Sequence, residues 1–154
     1  MTQTHFSITV DIAAPTSIVW SVISDVERWP EWTASISRVK PLSSAPLQVG
    51  SRFRVHQPKL PPAFWRVTEI HSGRDFTWVS IAPGLRVTAS HVVERTATGS
   101  RAILSIRYEG CFGAWLARWV GRLNDQYLAM EAKGLKARAI EFSGNVPADL
   151  PHSN

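Results

Sequence analysis

Residues 113–142, GAWLARWVGRLNDQYLAMEAKGLKARAIEF, decide the fold. They contain no proline, and their apolar residues recur at steps of three and four, the period of an amphipathic helix. The residues on this period are Leu116, Val120, Leu123, Tyr127, Met130 and Gly134, and the apolar face is broadened by Trp115, Trp119, Leu128, Leu135 and Phe142. We predict one long helix, ending near Gly144, whose apolar face must be covered by other elements.

The chain before this helix alternates between apolar and polar residues, which is typical of half-buried strands. Strands are predicted at residues 5–12, 35–42, 51–57, 63–71, 75–81, 85–96 and 100–110. The last four are separated by turn residues such as Gly73, Gly84 and Gly99. Such short connections favour antiparallel pairing, because parallel strands need long crossovers.

Two short helices are predicted after the first strand. Pro15 suits a first helical turn, and apolar residues at helical spacing follow it over residues 15–25. A second helical turn is predicted at residues 29–32. The sequence therefore predicts an α+β fold, a seven-stranded antiparallel sheet that covers the long C-terminal helix.

Length and composition suit one globular domain. The chain has 154 residues, of which 44% are hydrophobic and 19% charged, and it has no apolar run long enough for a membrane span. The alternating first residues do not resemble a secretory signal, and the single Cys111 excludes an internal disulfide. We expect one domain over residues 1–143, a flexible tail over residues 144–154, and a cytoplasmic location.

The positive charge is dispersed along the chain. The formal net charge is +5, but the 17 basic residues form no run, and most alternate with apolar neighbours. This pattern is typical of solvated strand faces, so no nucleic acid partner is predicted. An acidic partner surface is the alternative interpretation.

Several short strings, in this order and spacing, resemble one known superfamily. They are Ala14-Pro15, Val19-Trp20, DVERWPEW at 25–32, GSRF at 50–53, WRVTE at 65–69, GSR at 99–101, YEG at 108–110 and EAKGLK at 131–136. Together they resemble the START-like superfamily, also called Bet v 1-like or the polyketide cyclase/dehydrase and lipid-transport group. The resemblance implies a helix-grip fold, in which the sheet curls around the C-terminal helix and encloses a hydrophobic cavity. It implies no catalytic residue, because this fold hosts carriers, cyclases, hydrolases and regulators.

Regular strand alternation identifies side chains that would face such a cavity, although one bulge reverses the assignment downstream. The predicted ligand-binding residues are Phe53, Val55, Trp65, Phe76, Trp78, His91, Leu104, Tyr108, Leu123, Tyr127 and Met130. Trp78 and Tyr108 are favoured, because a buried indole N–H or phenol needs a polar partner. The alternative is that these side chains fill a packed core. Trp32 and the apolar loop at residues 58–62 are expected at the cavity entrance, where the loop acts as a lid or a dimer contact.

His91 lies in a predicted strand on the side of Leu85, Val87 and Val93. A histidine in an apolar cavity can act as a general base, with Tyr108 or Glu131 as its partner in proton transfer. The alternative is a hydrogen-bonded core histidine and a surface glutamate.

Other reactive groups are poorly arranged for chemistry. No two histidines have helical i, i+4 spacing, and there is no G-x-S-x-G motif or glycine-rich phosphate loop. Cys111 is interpreted as a packing residue, and Asp25, Glu27 and Glu31 as solvated charges. We expect no metal and no cofactor.

Three functions remain open. The first is binding of a small hydrophobic molecule between sheet and helix, and the second is a cyclase/dehydrase-type enzyme that uses His91 with Tyr108 or Glu131. The third is a regulatory protein-interaction module. We expect a small hydrophobic partner, no nucleic acid, no membrane span and a possible homodimer.

Overall fold

One sheet and one long helix make up most of the computed structural model, which describes residues 4–44 and 46–144. In chain order the elements are β1 (His5–Ile12), α1 (Thr16–Ser24), a 3-10 helix (Val26–Glu31), β2 (Arg38–Pro41), β3 (Arg52–His56), β4 (Ala63–His71), β5 (Asp75–Ala82), β6 (Leu85–Thr96), β7 (Gly99–Glu109) and α2 (Gly113–Gly144). The predicted helix-grip architecture is confirmed.

The sheet has seven antiparallel strands in the order β1-β7-β6-β5-β4-β3-β2. Strands β2 to β7 form a meander, and the whole of β1 pairs with β7, from His5 opposite Arg107 to Ile12 opposite Ser100. The chain therefore crosses from one edge of the sheet to the other through α1 and the 3-10 helix. These two short helices close one end of the space between sheet and α2.

Helix α2 packs against β1, β7 and α1 through a face rich in small side chains. Ala117, Ala132 and Ala139 are buried there beside Leu128 and Leu135. Small residues let the helix approach the sheet closely at these points. The larger apolar residues of the curled sheet complete the core.

Gly134 marks the closest approach between α2 and the segment after the 3-10 helix. A Cβ atom at this position would overlap the backbone carbonyl oxygen of Trp32. This helical glycine is therefore explained by lack of space for any side chain rather than by backbone conformation.

The predicted second strand is longer than the observed one. It begins at Arg38 rather than at residue 35, because Thr33 and Ser35 hydrogen-bond each other locally. Their hydroxyl oxygens are 2.8 Å apart, and the Ser35 backbone N–H donates to the Thr33 hydroxyl at 3.3 Å. Such local side-chain bonds compete with strand pairing.

One bulge interrupts the alternation of the central strands. The register of β4 against β5 shifts between Val67 and Glu69. Trp65 precedes this shift, so its predicted inward orientation is not reversed. The tail was predicted at residues 144–154; its first residue, Gly144, is the last residue of α2, and residues 145–154 lie outside the described residues. No helix within the described ranges is long and apolar enough to cross a membrane.

Candidate functional site

A cavity of about 330 Å³ lies between the curled sheet and α2. The sheet contributes Val55, Trp65, Trp78, Val87, Ala89, His91, Ile106 and Tyr108 to its wall. Helix α2 contributes Leu116, Val120, Asn124, Tyr127, Leu128 and Glu131. The wall is mostly apolar, and the volume is at the lower end of the roughly 300–1,000 Å³ usual for small-molecule sites.

The cavity opens between the β3–β4 loop, the β5–β6 turn and the first turns of α2. Leu60, Pro61, Pro62, Phe64, Ile81, Ala82 and Leu85 line this mouth. The Tyr127 hydroxyl donates a hydrogen bond to the backbone carbonyl of Pro58. This bond fastens the β3–β4 loop to α2, so the predicted entrance loop lies at the mouth.

The predicted ligand-binding residues divide into two groups. Val55, Trp65, Trp78, His91, Tyr108 and Tyr127 line the cavity. Phe53, Phe76 and Leu104 are buried behind its wall, and neither Leu123 nor Met130 lines it. Met130 is 41% exposed. It precedes the wall residue Glu131 by one position, which turns its side chain by about 100° around the helix axis.

His91 is enclosed by aromatic rings. Its imidazole stacks on Phe76 with ring centroids 4.4 Å apart. Trp29 and Trp78 lie 5.1 Å and 5.7 Å from it, and Trp78 in turn stacks on Trp65 at 5.2 Å. These rings form a continuous aromatic wall around the imidazole.

This apolar surrounding determines the charge of His91. Burial lowers the pKa of His91 to about 4, and a hydrogen bond with the Phe76 backbone opposes the shift only in part. The side chain is therefore neutral at pH 7. Its Nδ1 atom is buried and has no hydrogen-bond partner among the described residues. An unpaired buried polar atom is unfavourable unless a ligand or water satisfies it.

A second polar position lies where β7 faces α2. The Tyr108 hydroxyl donates to the Asn124 Oδ1 atom at 2.9 Å. Both residues are buried, and burial raises the pKa of Tyr108 above its ordinary value. The Asn124 Nδ2 atom has no partner in the described part of the chain, so its two N–H groups are unsatisfied in the cavity wall.

A third polar group is the carboxyl of Glu131, one turn of α2 beyond Tyr127. It accepts a hydrogen bond from the Ser35 hydroxyl at 3.1 Å. Burial raises the pKa of Glu131 to about 7, and the Ser35 bond opposes that shift. Glu131 therefore holds or releases a proton near neutral pH, which suits a general acid or base.

The three predicted catalytic residues do not form one hydrogen-bonded group. Tyr108 bonds to Asn124 and Glu131 to Ser35, whereas His91 bonds to neither of the other two. Along β6, His91 is four residues from Val87, the partner of Tyr108, which corresponds to about 13 Å. The polar groups are thus distributed along the cavity rather than gathered at one reacting centre.

The remaining reactive groups lie outside the cavity. Cys111 is exposed. Glu31 pairs with Arg138 at 2.5 Å and Asp25 with Arg28 at 3.3 Å. Within residues 4–44 and 46–144, no three acidic, histidine or cysteine residues cluster closely enough to hold a metal ion.

The predicted ligand-binding set leaves out several wall residues, and two of them, Trp29 and Asn124, carry polar groups. Trp29 lies in the 3-10 helix, in line with the helical turn predicted at residues 29–32, and it is also buried in the cavity wall, where its indole N–H donates to the Ile23 carbonyl at 3.0 Å. Asn124 is a polar residue on the apolar face of α2. A polar residue at a predicted core position is a signal in the sequence that could have identified it as a site residue. Trp32, expected at the entrance, is half-buried against Trp29 instead, with ring centroids 5.8 Å apart.

Comparisons with solved structures agree with this fold. A protein from Thermus thermophilus superposes with a TM-score of 0.74 at 18% identity, covering 90% of this chain and 99% of that one. The Zhui aromatase/cyclase of a Streptomyces species gives 0.74 at 16% identity, over 95% and 98% of the two chains. A START superfamily protein from Mycobacterium smegmatis gives 0.72 at 17% identity, over 91% and 99%. At these identities the likeness is one of fold.

The sequence itself provides the family assignment. Comparison with curated proteins gave no significant match. The family model described as polyketide cyclase/dehydrase and lipid transport, however, matches residues 3–139, which is nearly the whole chain and includes every strand and most of α2. The chain therefore belongs to the polyketide cyclase/dehydrase and lipid-transport family.

Proposed function

We propose that this protein binds one small, mostly apolar molecule in the cavity between the sheet and α2. The observation that carries the proposal is the pairing of an apolar cavity with two buried polar atoms that have no partner among the described residues, His91 Nδ1 and Asn124 Nδ2. A ligand would gain free energy by burying apolar surface, at about 25 cal/mol per Å². Its polar groups would satisfy the two orphaned atoms.

The polar atoms define the chemistry of the ligand. Asn124 uses its Oδ1 atom for the Tyr108 hydroxyl, so its amide N–H groups require an acceptor oxygen such as a carbonyl, a hydroxyl or a phenol. The imidazole N–H of neutral His91 donates to the Phe76 backbone, so the unpartnered Nδ1 atom is an acceptor, which suits a ligand hydroxyl group. The aromatic wall around His91 favours a flat ring system. We therefore propose an aromatic or polyketide-like molecule that carries oxygen substituents.

The test uses two probes, naphthalene and 2-naphthol, which differ by one hydroxyl group. Titration calorimetry is expected to show binding of both probes, with 2-naphthol tighter by roughly tenfold, the usual value of one buried hydrogen bond. The Ala89→Trp variant fills the cavity and is expected to abolish binding. Thr88→Trp adds the same side chain at the neighbouring position on the opposite face of β6 and is the matched control.

Two outcomes would contradict the proposal. Equal binding by the wild type and Ala89→Trp would place the ligand outside the cavity. Equal affinity for the two probes, unchanged in Asn124→Leu, would show that the orphaned amide does not select an oxygen substituent.

A second candidate is an enzyme that moves a proton on such a molecule. It is favoured by Glu131, whose pKa of about 7 lets the carboxyl act as acid and as base near neutral pH. His91 would orient the substrate rather than accept the proton, because an imidazole with a pKa of about 4 is a weak base. Glu131→Gln is then expected to abolish turnover of a cyclising polyketide chain and to leave probe binding nearly unchanged. Equal turnover by the variant would contradict this role.

The interpretation as a regulatory module receives less support. A cavity too small for a ligand would favour it, whereas the observed volume of about 330 Å³ lies within the range of small-molecule sites. If no apolar probe binds, the regulatory interpretation would be favoured.

A further inference from the structure

Five large apolar side chains are exposed on the three segments that border the cavity mouth. They are Phe64, Ile81, Phe112, Trp115 and Trp119, here called the mouth rim, and each is more than half exposed. Phe64 and Ile81 also line the cavity. The Phe112 backbone N–H donates to a carbonyl of the β5–β6 turn at 2.9 Å, which places the start of α2 beside that turn. A concentration of exposed apolar side chains marks an interaction surface.

The α2 part of the mouth rim is also basic. Trp115, Arg118, Trp119 and Arg122 are spaced i, i+3, i+4 and i+7, so they share one exposed face of the helix. The two indole rings are 6.2 Å apart. Neither arginine forms an ion pair with another residue in the described ranges, and no acidic residue occurs from residue 110 to residue 124.

We propose that the mouth rim docks on an anionic lipid surface. Trp115 and Trp119 would lie among the lipid headgroups, where amphipathic indole rings are enriched. Arg118 and Arg122 would contact the lipid phosphates, and the net charge of +5 favours approach to a negative surface. The cavity would then open onto the membrane interface, where apolar molecules are available.

Other occupants fit these observations less well. A symmetric second copy would bring Arg118 and Arg122 close to their own counterparts, which costs free energy by like-charge repulsion. An acidic protein would match the arginines. It would not explain why all three segments that border the opening of an apolar cavity carry exposed apolar side chains.

Docking is tested by sedimentation with vesicles, using protein without added ligand. Vesicles of phosphatidylcholine with one third phosphatidylglycerol are compared with pure phosphatidylcholine vesicles. We expect the anionic vesicles to bind more tightly by roughly 25-fold, because each arginine near the surface contributes about fivefold. The Arg118→Gln/Arg122→Gln variant is expected to lose this difference, whereas Arg52→Gln/Arg66→Gln, which removes two exposed arginines of β3 and β4, retains it.

A second pair of variants tests the apolar side chains. Trp115→Ser/Trp119→Ser is expected to reduce binding at least tenfold, and Val49→Ser, at an exposed apolar residue elsewhere, is the control. The cavity-filling Ala89→Trp variant is expected to bind vesicles as the wild type does, so a failure of ligand binding and a failure of docking are distinguishable.

Three results would overturn the proposal. The first is absence of binding to any vesicle. The second comes from polyglutamate, used as a model of an acidic protein: if the protein binds it as tightly as it binds anionic vesicles, the partner is an acidic protein rather than a membrane. The third is concentration-dependent dimerisation that the tryptophan variant removes, without vesicle binding, since this would assign the mouth rim to self-association.

Discussion

The Glu131→Gln variant measures the free energy of keeping a carboxyl group in the cavity wall. Burial raises the pKa of Glu131 from 4.5 to about 7, so the folded protein holds this proton more tightly than the unfolded chain. The resulting stabilisation is fully present below pH 4.5 and is lost as the pH rises through 7. At about 1.36 kcal/mol per pKa unit, the loss is about 3 kcal/mol. Since Glu131 is only partly buried, this is an upper value.

Urea unfolding at a series of pH values between 4.5 and 7.5 gives the free energy of unfolding of each protein. The wild-type value minus the Glu131→Gln value is expected to fall by up to about 3 kcal/mol across this range. His91 titrates in both proteins, so its contribution cancels in the difference. Glu141→Gln, at an exposed carboxylate of the same helix, is expected to keep the wild-type profile. If the difference in unfolding free energy between the wild type and Glu131→Gln does not change with pH, burial in the cavity wall does not raise the pKa of Glu131.

Three further predictions address the packing around the cavity. Burial lowers the pKa of His91 to about 4, so neutral His91 contributes stability to the fold above pH 6.5, and this contribution is lost as the pH falls toward 4. In His91→Phe, the loss of unfolding free energy between pH 6.5 and pH 4 is expected to be smaller by about 3 kcal/mol. An acid unfolding profile equal to that of the wild type would contradict this prediction. Gly134→Ala is expected to destabilise the fold by about 1–3 kcal/mol in thermal melts. Gly121→Ala, whose Cβ would meet only ordinary contacts at 3.5 Å, should be neutral or stabilising by up to about 1 kcal/mol; equal melting temperatures would count against the crowding at Gly134. Tyr127→Phe should speed amide hydrogen exchange in residues 57–63, because the bond to the Pro58 carbonyl is lost, and unaltered exchange there would argue against that anchor.

The sheet and α2 were predictable because local periodicity determines them. Strand alternation correctly oriented Trp78 in β5 and His91 in β6, since these two strands pair with each other without a register shift. The same reasoning was safe at Trp65 only because the bulge in β4 follows Val67. Nothing in the sequence indicated the position of that bulge.

The details of the cavity wall were less accessible, because they depend on long-range packing. Trp29 lies in the wall because the 3-10 helix packs its indole ring against Trp78 of β5. The local spacing of residues does not encode this packing. Ser35 and Glu131 are 96 residues apart in sequence, so their hydrogen bond could not be inferred. Helical periodicity predicted an inward stripe on α2, but its exact rotation decides between Glu131 and Met130.

Native mass spectrometry of the freshly purified protein, compared with Ala89→Trp, tests ligand binding most directly. We predict that the wild type carries an additional mass, a small apolar molecule that is removed by organic solvent extraction. The cavity-filled variant is expected to carry none. The same mass on both proteins, or a wild type that stays unliganded after exposure to 2-naphthol, would contradict binding in the cavity.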